Sequence, residues 1–103
     1  MKIHKTVAAR EDIKNIWLHC ALQSGEERAD DLLRRINMTL QATICRFPNS
    51  GRARPELGLA IRSFPVLPYV AFYTTRHRHI HLLRLLHGRR DLKKPLISLL
   101  LAG

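Results

Sequence analysis

Acidic residues are scarce in this sequence, which has 8 Asp and Glu against 18 Lys and Arg and a net charge of +10 with neutral histidines. A charge of this size on so short a chain raises the potential around the whole surface and favours anionic partners, namely nucleic acid, a membrane surface or an acidic protein. It carries no information about the fold. Hydrophobic residues nevertheless make up 46% of the chain, so a disordered basic tail is excluded and a folded core is expected.

Cysteines and long apolar runs are also few. Cys20 and Cys45 show neither metal-binding spacing nor the density of a disulfide scaffold, so we interpret both as reduced thiols. The most apolar stretch, residues 96–102, is far shorter than the ~20 residues that a membrane-spanning helix requires. Charged residues interrupt the first twelve positions too often for a secretory signal. We therefore expect a cytoplasmic protein with no membrane partner.

The positive charge is unevenly distributed along the chain. Residues 1–45 carry seven basic and six acidic side chains, whereas residues 46–103 carry eleven basic and two acidic ones. A chain of 103 residues has room for one small core, so we expect a single domain over residues 1–103. The cationic character therefore belongs to the second half of that domain.

Apolar periodicity predicts two helices in the first half, over residues 8–24 and 26–47. The apolar face of the first helix is formed by Ile13, Ile16, Trp17, Cys20 and Ala21. The glycine between the two helices is expected to stop the first, and a capping-box pairing of Ser24 with Glu27 to start the second. Because the link between them is this short, the two helices are expected to form a helical hairpin. Pro48 ends the second helix.

The pattern changes after the second helix, where three short runs within residues 59–87 are rich in aromatic or branched side chains and predict strands. The runs lie near residues 59–64, 69–75 and 80–87. Short links make their pairing antiparallel. With residues 1–7 as an N-terminal edge strand, the predicted fold class is α+β, a helical hairpin packed on one face of a three-stranded antiparallel meander. Residues 92–103 form a short C-terminal apolar segment that we expect to pack on the domain or on a partner.

Several segments of the chain resemble the ParE/RelE toxin superfamily in order and spacing. They are Ile16-Trp17, the stretch from Gly51 to Gly58, Ile61 to Val66, Tyr69 to Tyr73, and Leu82 to Asp91. The resemblance spans about residues 2–92. Its two most specific pieces, the loop over residues 51–58 and the ending over residues 87–91, are similar to the ParE branch. The resemblance implies the RelE/ParE-like fold and a toxin of a type II toxin-antitoxin pair; we expect no cofactor and no metal.

The resemblance also implies partners. A small cognate antitoxin would neutralise the toxin by wrapping a segment of its own chain over it. The implied target of ParE-like members is DNA gyrase, and that of RelE-like members is mRNA on the ribosome. We predict a gyrase inhibitor that acts by binding; the alternatives are a ribosome-dependent, metal-independent mRNA endoribonuclease and a basic nucleic-acid-binding domain.

The two branches require different chemistry. Metal-free RNA cleavage needs a group that takes the 2′-OH proton, cations that stabilise the phosphate, and an acid for the leaving oxygen. For a nuclease, the resemblance assigns the cationic role to Arg62 and Arg84, while His87 and Tyr73 are the candidate acid or base groups. No Tyr or His follows Asp91, where ribonuclease members commonly supply a catalytic side chain. This departure favours binding over cleavage.

Strand alternation gives a prediction for the binding surface. It places Arg84 on the side opposite Leu83 and Leu85. If the helices cover the Leu83 side, Arg84 lies on the open face with the loop over residues 52–54 at its rim, which makes one cationic surface, while His87 faces the helices. The predicted target- or antitoxin-binding residues are Arg52, Arg54, Arg62, Arg84, His87, Arg89 and Arg90.

Histidines alternate at positions 77, 79 and 81, so on an extended strand all three would point to one side, as a metal site requires. No fourth ligand is evident, and Arg76 and Arg78 would repel a cation. We therefore expect an exposed cationic turn here. Asp91 is expected to anchor the end of the last strand through an ion pair with Arg89 or Arg90.

Overall fold

Five strands form one mixed sheet, and two helices pack on one of its faces. The computed structural model describes residues 2–58 and 60–91. The elements are β1 (Ile3–Lys5), α1 (Val7–Ser24), α2 (Glu26–Thr39), a π-helical segment (Leu40–Cys45), β2 (Arg52–Ala53), a 3-10 turn (Pro55–Leu57), β3 (Ile61–Val66), β4 (Tyr69–Arg76) and β5 (His79–His87). The strand order is β1-β5-β4-β3-β2, with β1 parallel to β5 and the other pairs antiparallel. The predicted α+β fold, with its edge strand, helical hairpin and meander, is confirmed.

The helical hairpin begins and turns at capping residues. The Thr6 hydroxyl accepts a hydrogen bond from the Ala9 N–H (3.0 Å) and donates one to the Leu83 carbonyl (2.9 Å), which fastens the start of α1 to the sheet. Gly25, with a φ of +91°, ends α1 and precedes α2. The predicted capping box is wrong, since α2 has no side-chain cap. Ser24 is the last helical residue of α1 and so does not take the extended backbone of an N-cap.

The second helix changes its hydrogen-bond pattern before it ends. It is α-helical to Thr39 and π-helical over Leu40–Cys45, instead of one helix over residues 26–47. The π-helical segment contributes Leu40 and Ile44, which are 1% and 0% exposed, to the core. The hairpin therefore packs its apolar stripe along its whole length, as periodicity predicts.

The main core lies between the helices and one face of the sheet. Its sheet side is formed by Tyr69, Ala71, Tyr73, Ile80, Leu82 and Leu85, and its helical side by Ile16, Ile36, Leu40 and Ile44. A smaller apolar cluster of Leu57, Phe72 and Leu86 covers the opposite face of the central strands. Because both faces carry buried side chains there, β4 and β5 are the rigid centre of the molecule.

A β-bulge interrupts the pairing of β4 and β5. Phe72 pairs with Arg84 and Tyr73 with Leu82, so Leu83 is an extra residue in β5. Leu82 and Leu85 consequently both face the helices, which strict alternation does not allow. The predicted parity of this strand is therefore wrong at Leu82, whereas Leu85 lies on the helical side and Leu86 on the opposite side, as predicted.

Other predicted bounds also shift. Residues 52–53 form the short edge strand β2 where a loop is predicted, and β3 begins at Ile61. Leu59, at the start of the predicted strand region, and the predicted C-terminal segment over residues 92–103 lie outside the described residues. Within residues 2–58 and 60–91, no helix combines the length and the apolar character needed to cross a membrane.

Candidate functional site

Arg84 is bound to the first helix. Its Nε and Nη2 donate to the two carboxylate oxygens of Asp12 at 2.7 and 2.9 Å, and one of these oxygens also accepts the Leu85 N–H at 3.0 Å. β1 covers only the first part of the edge of β5, so Asp12 satisfies backbone beyond it. These hydrogen bonds raise the pKa of Arg84 above its ordinary value. The side chains of Arg84 and Asp12 are only 15% and 13% exposed, so the prediction that Arg84 contributes to an open cationic surface is wrong.

Arg62 and Tyr73 hold the loop that follows the second helix. The Tyr73 hydroxyl donates to the Pro48 carbonyl at 2.8 Å and accepts the Gly51 N–H at 2.9 Å. Arg62 Nη1 donates to the Gly51 carbonyl at 2.7 Å. A Cβ at Gly51 would overlap the Tyr73 hydroxyl, so only glycine allows this close approach. Arg62 therefore lies on the same face as Tyr73, its partner in β4, and not on the open face.

Arg52 and Arg54 lie at the other edge of the sheet, on or beside β2. Arg54 Nε donates to Glu56 at 2.7 Å, and the Arg54 guanidinium lies 6.0 Å from the centre of the Phe72 ring. The hydrogen bond from Arg54 lowers the pKa of Glu56. Arg52 pairs with Ser63 in the register, and its exposed side chain has no hydrogen bond or ion pair to the part of the chain that the structure describes.

The end of β5 is closed by His87 and Asp91. His87 Nδ1 accepts the N–H groups of Arg89 and Arg90, both at 3.1 Å, and its ring packs edge-on against Tyr69. The His87 N–H donates to Asp91 Oδ2 at 2.7 Å, and Arg90 Nε lies 3.2 Å from Oδ1. Burial alone would raise the pKa of Asp91, but these hydrogen bonds and the Arg90 charge bring it below its ordinary value. Asp91 anchors the strand end, as predicted, and His87 shares the helix-facing side with Tyr69.

The four nuclease candidates do not form one cluster. Tyr73 and Tyr69 are four residues apart on β4, or about 13 Å at the rise of a strand. Arg62 lies beside Tyr73, whereas His87 lies beside Tyr69. Arg84 is bound to Asp12 on α1. The predicted acid, base and cation groups are thus distributed over three separate contacts.

Histidines from two strands meet at the opposite end of β5. His4 is the register partner of His81, and the His4 ring lies 5.0 Å from that of His79 and 5.3 Å from that of His81. His77 does not join them, because it lies in the β4–β5 turn with a φ of +52°. The expected exposed cationic turn is therefore found at His77 and Arg78, where the backbone is no longer an extended strand. No arrangement of three or more His, Cys, Asp or Glu within residues 2–58 and 60–91 is suited to hold a metal ion.

A groove of about 610 Å³ opens between the helical hairpin and the ends of β4 and β5. It is lined by the apolar side chains of Leu32, Pro68 and Tyr69, by the cations Arg28, Arg35 and Arg90, and by the carboxylate of Asp31, among others. We call it the helix–sheet groove. A cleft of about 300 Å³ beside Arg84 and Asp12 adjoins it and shares Arg90. Of the predicted binding residues, His87 and Arg90 line this groove.

Comparison with known proteins decides the family. The family described as "ParE toxin of type II toxin-antitoxin system, parDE" matches residues 3–92. This chain belongs to the ParE toxin family. Toxin ParE3 of Caulobacter vibrioides is 26% identical to it over 95 residues, which cover 92% of this chain and 94% of that protein.

A solved structure of the family supports the fold. The structure described as "Chromosomal ParDE TA system from P. aeruginosa" superposes with a TM-score of 0.70 at 22% identity, and covers 84% of this chain and 95% of that chain. The ParE-branch resemblance seen in the sequence is confirmed, and the chain is a ParE-type toxin of a type II toxin-antitoxin system.

Sequence reasoning about this ParE-family chain missed two arginines of the helix–sheet groove. Arg28 and Arg35 were assigned to the nearly neutral first half, whereas the predicted binding residues all lie in the second. A signal existed, since Arg28, Leu32 and Arg35 recur at four- and three-residue spacing and so share one face of α2. The groove joins these helical cations to those at the end of β5.

Proposed function

We propose that this ParE-type toxin inhibits DNA gyrase by binding and is neutralised by a cognate antitoxin. The observation that supports binding over cleavage is the separation of Arg62, Arg84, His87 and Tyr73 into different contacts. A general acid or base must lie within hydrogen-bonding reach of the proton it moves and near the cations that stabilise the phosphate. These four side chains do not meet that requirement together.

The hydrogen bonds of two nuclease candidates, Tyr73 and His87, also support binding over cleavage. Tyr73 is 0% exposed, and its hydroxyl lies between the Pro48 carbonyl and the Gly51 N–H. His87 Nδ1 is held by two backbone N–H groups. Both side chains stabilise turns, so their polar atoms act in the fold.

The helix–sheet groove is the site that we assign to the antitoxin. Leu32 and Tyr69 provide apolar contact area, and Arg28, Arg35 and Arg90 provide positive charge at its walls. An amphipathic segment with apolar and acidic side chains is complementary to such a surface. This assignment agrees with the presence of an antitoxin in a type II pair.

The deciding experiment compares two activities of the purified chain. We expect it to stop supercoiling of relaxed plasmid by purified gyrase and to leave transcripts intact in a translating extract. Adding the cognate antitoxin should restore supercoiling. Cut transcripts with unimpaired supercoiling would instead establish the endoribonuclease. Arg62→Ala and Arg84→Ala are poor tests, because both remove contacts that hold the fold.

The groove itself is tested by charge reversal. Arg35→Glu should weaken antitoxin binding by about tenfold or more in calorimetry, because it places a carboxylate against an acidic segment. Arg10→Glu is the matched control, since Arg10 is exposed on α1 and outside the groove. Equal losses in the two variants would show that the antitoxin responds to net charge and not to this groove.

A further inference from the structure

The turn between β4 and β5 gathers basic side chains at one tip of the sheet. Arg76 and His79 pair across the end of the two strands, and His77 and Arg78 form the exposed turn between them. The His4 ring lies next to the rings of His79 and His81, and the Lys2 N–H donates to His79 Nδ1 at 3.3 Å. The strand-tip cluster is the set Lys2, His4, Arg76, His77, Arg78, His79 and His81.

This cluster lacks anionic partners within the chain as described. The four ion pairs of the described residues involve Arg34, Arg54, Arg84 and Arg90, all outside the tip. The groups near the imidazoles are Lys2, which precedes β1, His4 of β1, Thr74 and Arg76 of β4, and His77 and Arg78 of the turn. No carboxylate is among these groups.

The effect on the histidines is visible at His79. Partial burial lowers its pKa, and the neighbouring His4, Lys2 and His81 lower it further. Like charges therefore oppose protonation of His79. A bound anion would remove that opposition, because an opposite charge nearby favours the protonated form.

The backbone of the turn has two residues other than glycine with positive φ. His77 and Arg78 have φ values of +52° and +64°, a region that glycine and asparagine adopt with less strain. A two-residue turn of this kind is usually made by Asn-Gly. This chain instead has two basic side chains at these exposed turn positions. Residues with strained backbone often occur at binding sites.

We infer that the strand-tip cluster binds the phosphate backbone of duplex DNA and takes up protons as it does so. The described large apolar side chains that are exposed lie elsewhere, at Val7, Leu18, Leu22, Met38, Phe47 and Leu67. A protein interface needs an apolar centre that the tip does not offer. Phosphate contacts need only cations and hydrogen-bond donors, which the tip does supply.

The choice of duplex DNA over RNA rests on the proposed function, since gyrase acts on duplex DNA. A toxin that binds DNA through its strand-tip cluster would be held near gyrase that is bound to the same DNA. The contact carries no base specificity, because it uses phosphates alone.

The experiment measures binding of the full chain to a short fluorescent DNA duplex by anisotropy, without gyrase. Affinity should fall steeply between about 50 and 200 mM salt. Arg76→Gln/Arg78→Gln should reduce the salt slope by about two, because about one counterion is released per phosphate contact. Arg10→Gln/Lys14→Gln removes the same charge from exposed positions on α1 and should leave the slope unchanged. Equal reductions in both double variants, or no binding by the parent chain, would overturn the inference.

Proton uptake is measured separately. Affinity should rise as the pH falls from about 8 to about 6, by about tenfold per pH unit for each proton taken up. Calorimetry in buffers with different ionisation heats should count at least one proton, and His79→Gln should reduce that count. Tighter binding to an RNA duplex would overturn the choice of DNA.

The two proposals fail independently. If the parent chain inhibits gyrase but does not bind DNA, the tip site alone is rejected. Intact DNA binding without gyrase inhibition would reject the proposed function alone. Thermal unfolding of each double variant shows whether a loss comes from the tip or from the fold.

Discussion

Charged side chains are paired with opposite charges at one end of β5 and lie among like charges at the other. Towards the C-terminal end, Arg84 is held by both oxygens of Asp12, and Asp91 is held by the His87 N–H and by Arg90. At the N-terminal end, His79 and its neighbours face only one another and further cations among the described residues. One strand thus connects a region where charges are matched to a region where they are not.

This difference changes the meaning of the net charge. The cations of the second half do not form one surface, since Arg62 and Arg84 are bound to other parts of the chain. Arg76 and Arg78 at the strand tip have no ion pair among the described residues. A positive charge that the fold does not use is the one available to a partner.

Asp12→Ala tests the matched end and should have the largest effect. It leaves the Arg84 guanidinium and the Leu85 N–H largely buried without their shared acceptor. Loss of one partner of a mostly buried ion pair costs about 3 kcal/mol. Urea unfolding should show a free energy of unfolding lower by about that amount.

The control for this substitution is Asp31→Ala. Asp31 pairs with Arg34 on the surface of α2, and both side chains are about two-thirds exposed, at 64% and 67%. Water and salt screen such a pair, so little change in stability is expected. Similar losses in the two variants would mean that burial does not distinguish these ion pairs.

Periodicity predicted the two helices and the three strands of the meander, because these elements have a regular apolar pattern. It could not predict the β-bulge, since Leu82 to Leu86 contains leucine on both sides of Arg84 and gives the same pattern with or without an extra residue. The bulge changes the side on which Leu82 lies. Arg84 is withdrawn from the open surface by its ion pair with Asp12, which the strand pattern does not indicate.

Side-chain contacts between residues far apart in the sequence also could not be predicted. Asp12 and Arg84 are separated by 72 positions, and His4 and His79 by a similar distance. Nothing local in either segment indicates its partner. The family resemblance predicted the fold, but the contacts of single side chains depend on the register of β1 with β5.

The unmatched end is tested by replacing the turn. His77→Asn/Arg78→Gly supplies the residues that favour positive φ at both positions. We expect the free energy of unfolding to rise by about 1 kcal/mol, because left-handed backbone is costly for other residues. The same variant should bind DNA more weakly, because it removes two basic side chains.

Arg76→Gln tests whether the gain in the free energy of unfolding comes from relief of backbone strain or from relief of charge repulsion. It lowers the charge of the tip and leaves the turn residues unchanged. If backbone strain explains the gain, Arg76→Gln should not reproduce it. An equal gain from Arg76→Gln would assign it to relief of charge repulsion.

His79→Gln should have the smallest effect and only in acid. The folded chain binds a proton at His79 at lower pH than the unfolded chain, whose histidine has the ordinary value near 6.5. Between these two values the unfolded state holds more protons, so the free energy of unfolding of the parent chain falls as the pH falls. The variant lacks this contribution and should lose less stability over the same range. The difference between the unfolding curves of the two chains reports the cost of protonating His79 next to its neighbouring charges. A difference that stays constant from about pH 8 to about pH 5 would show that the tip imposes no cost on protonation.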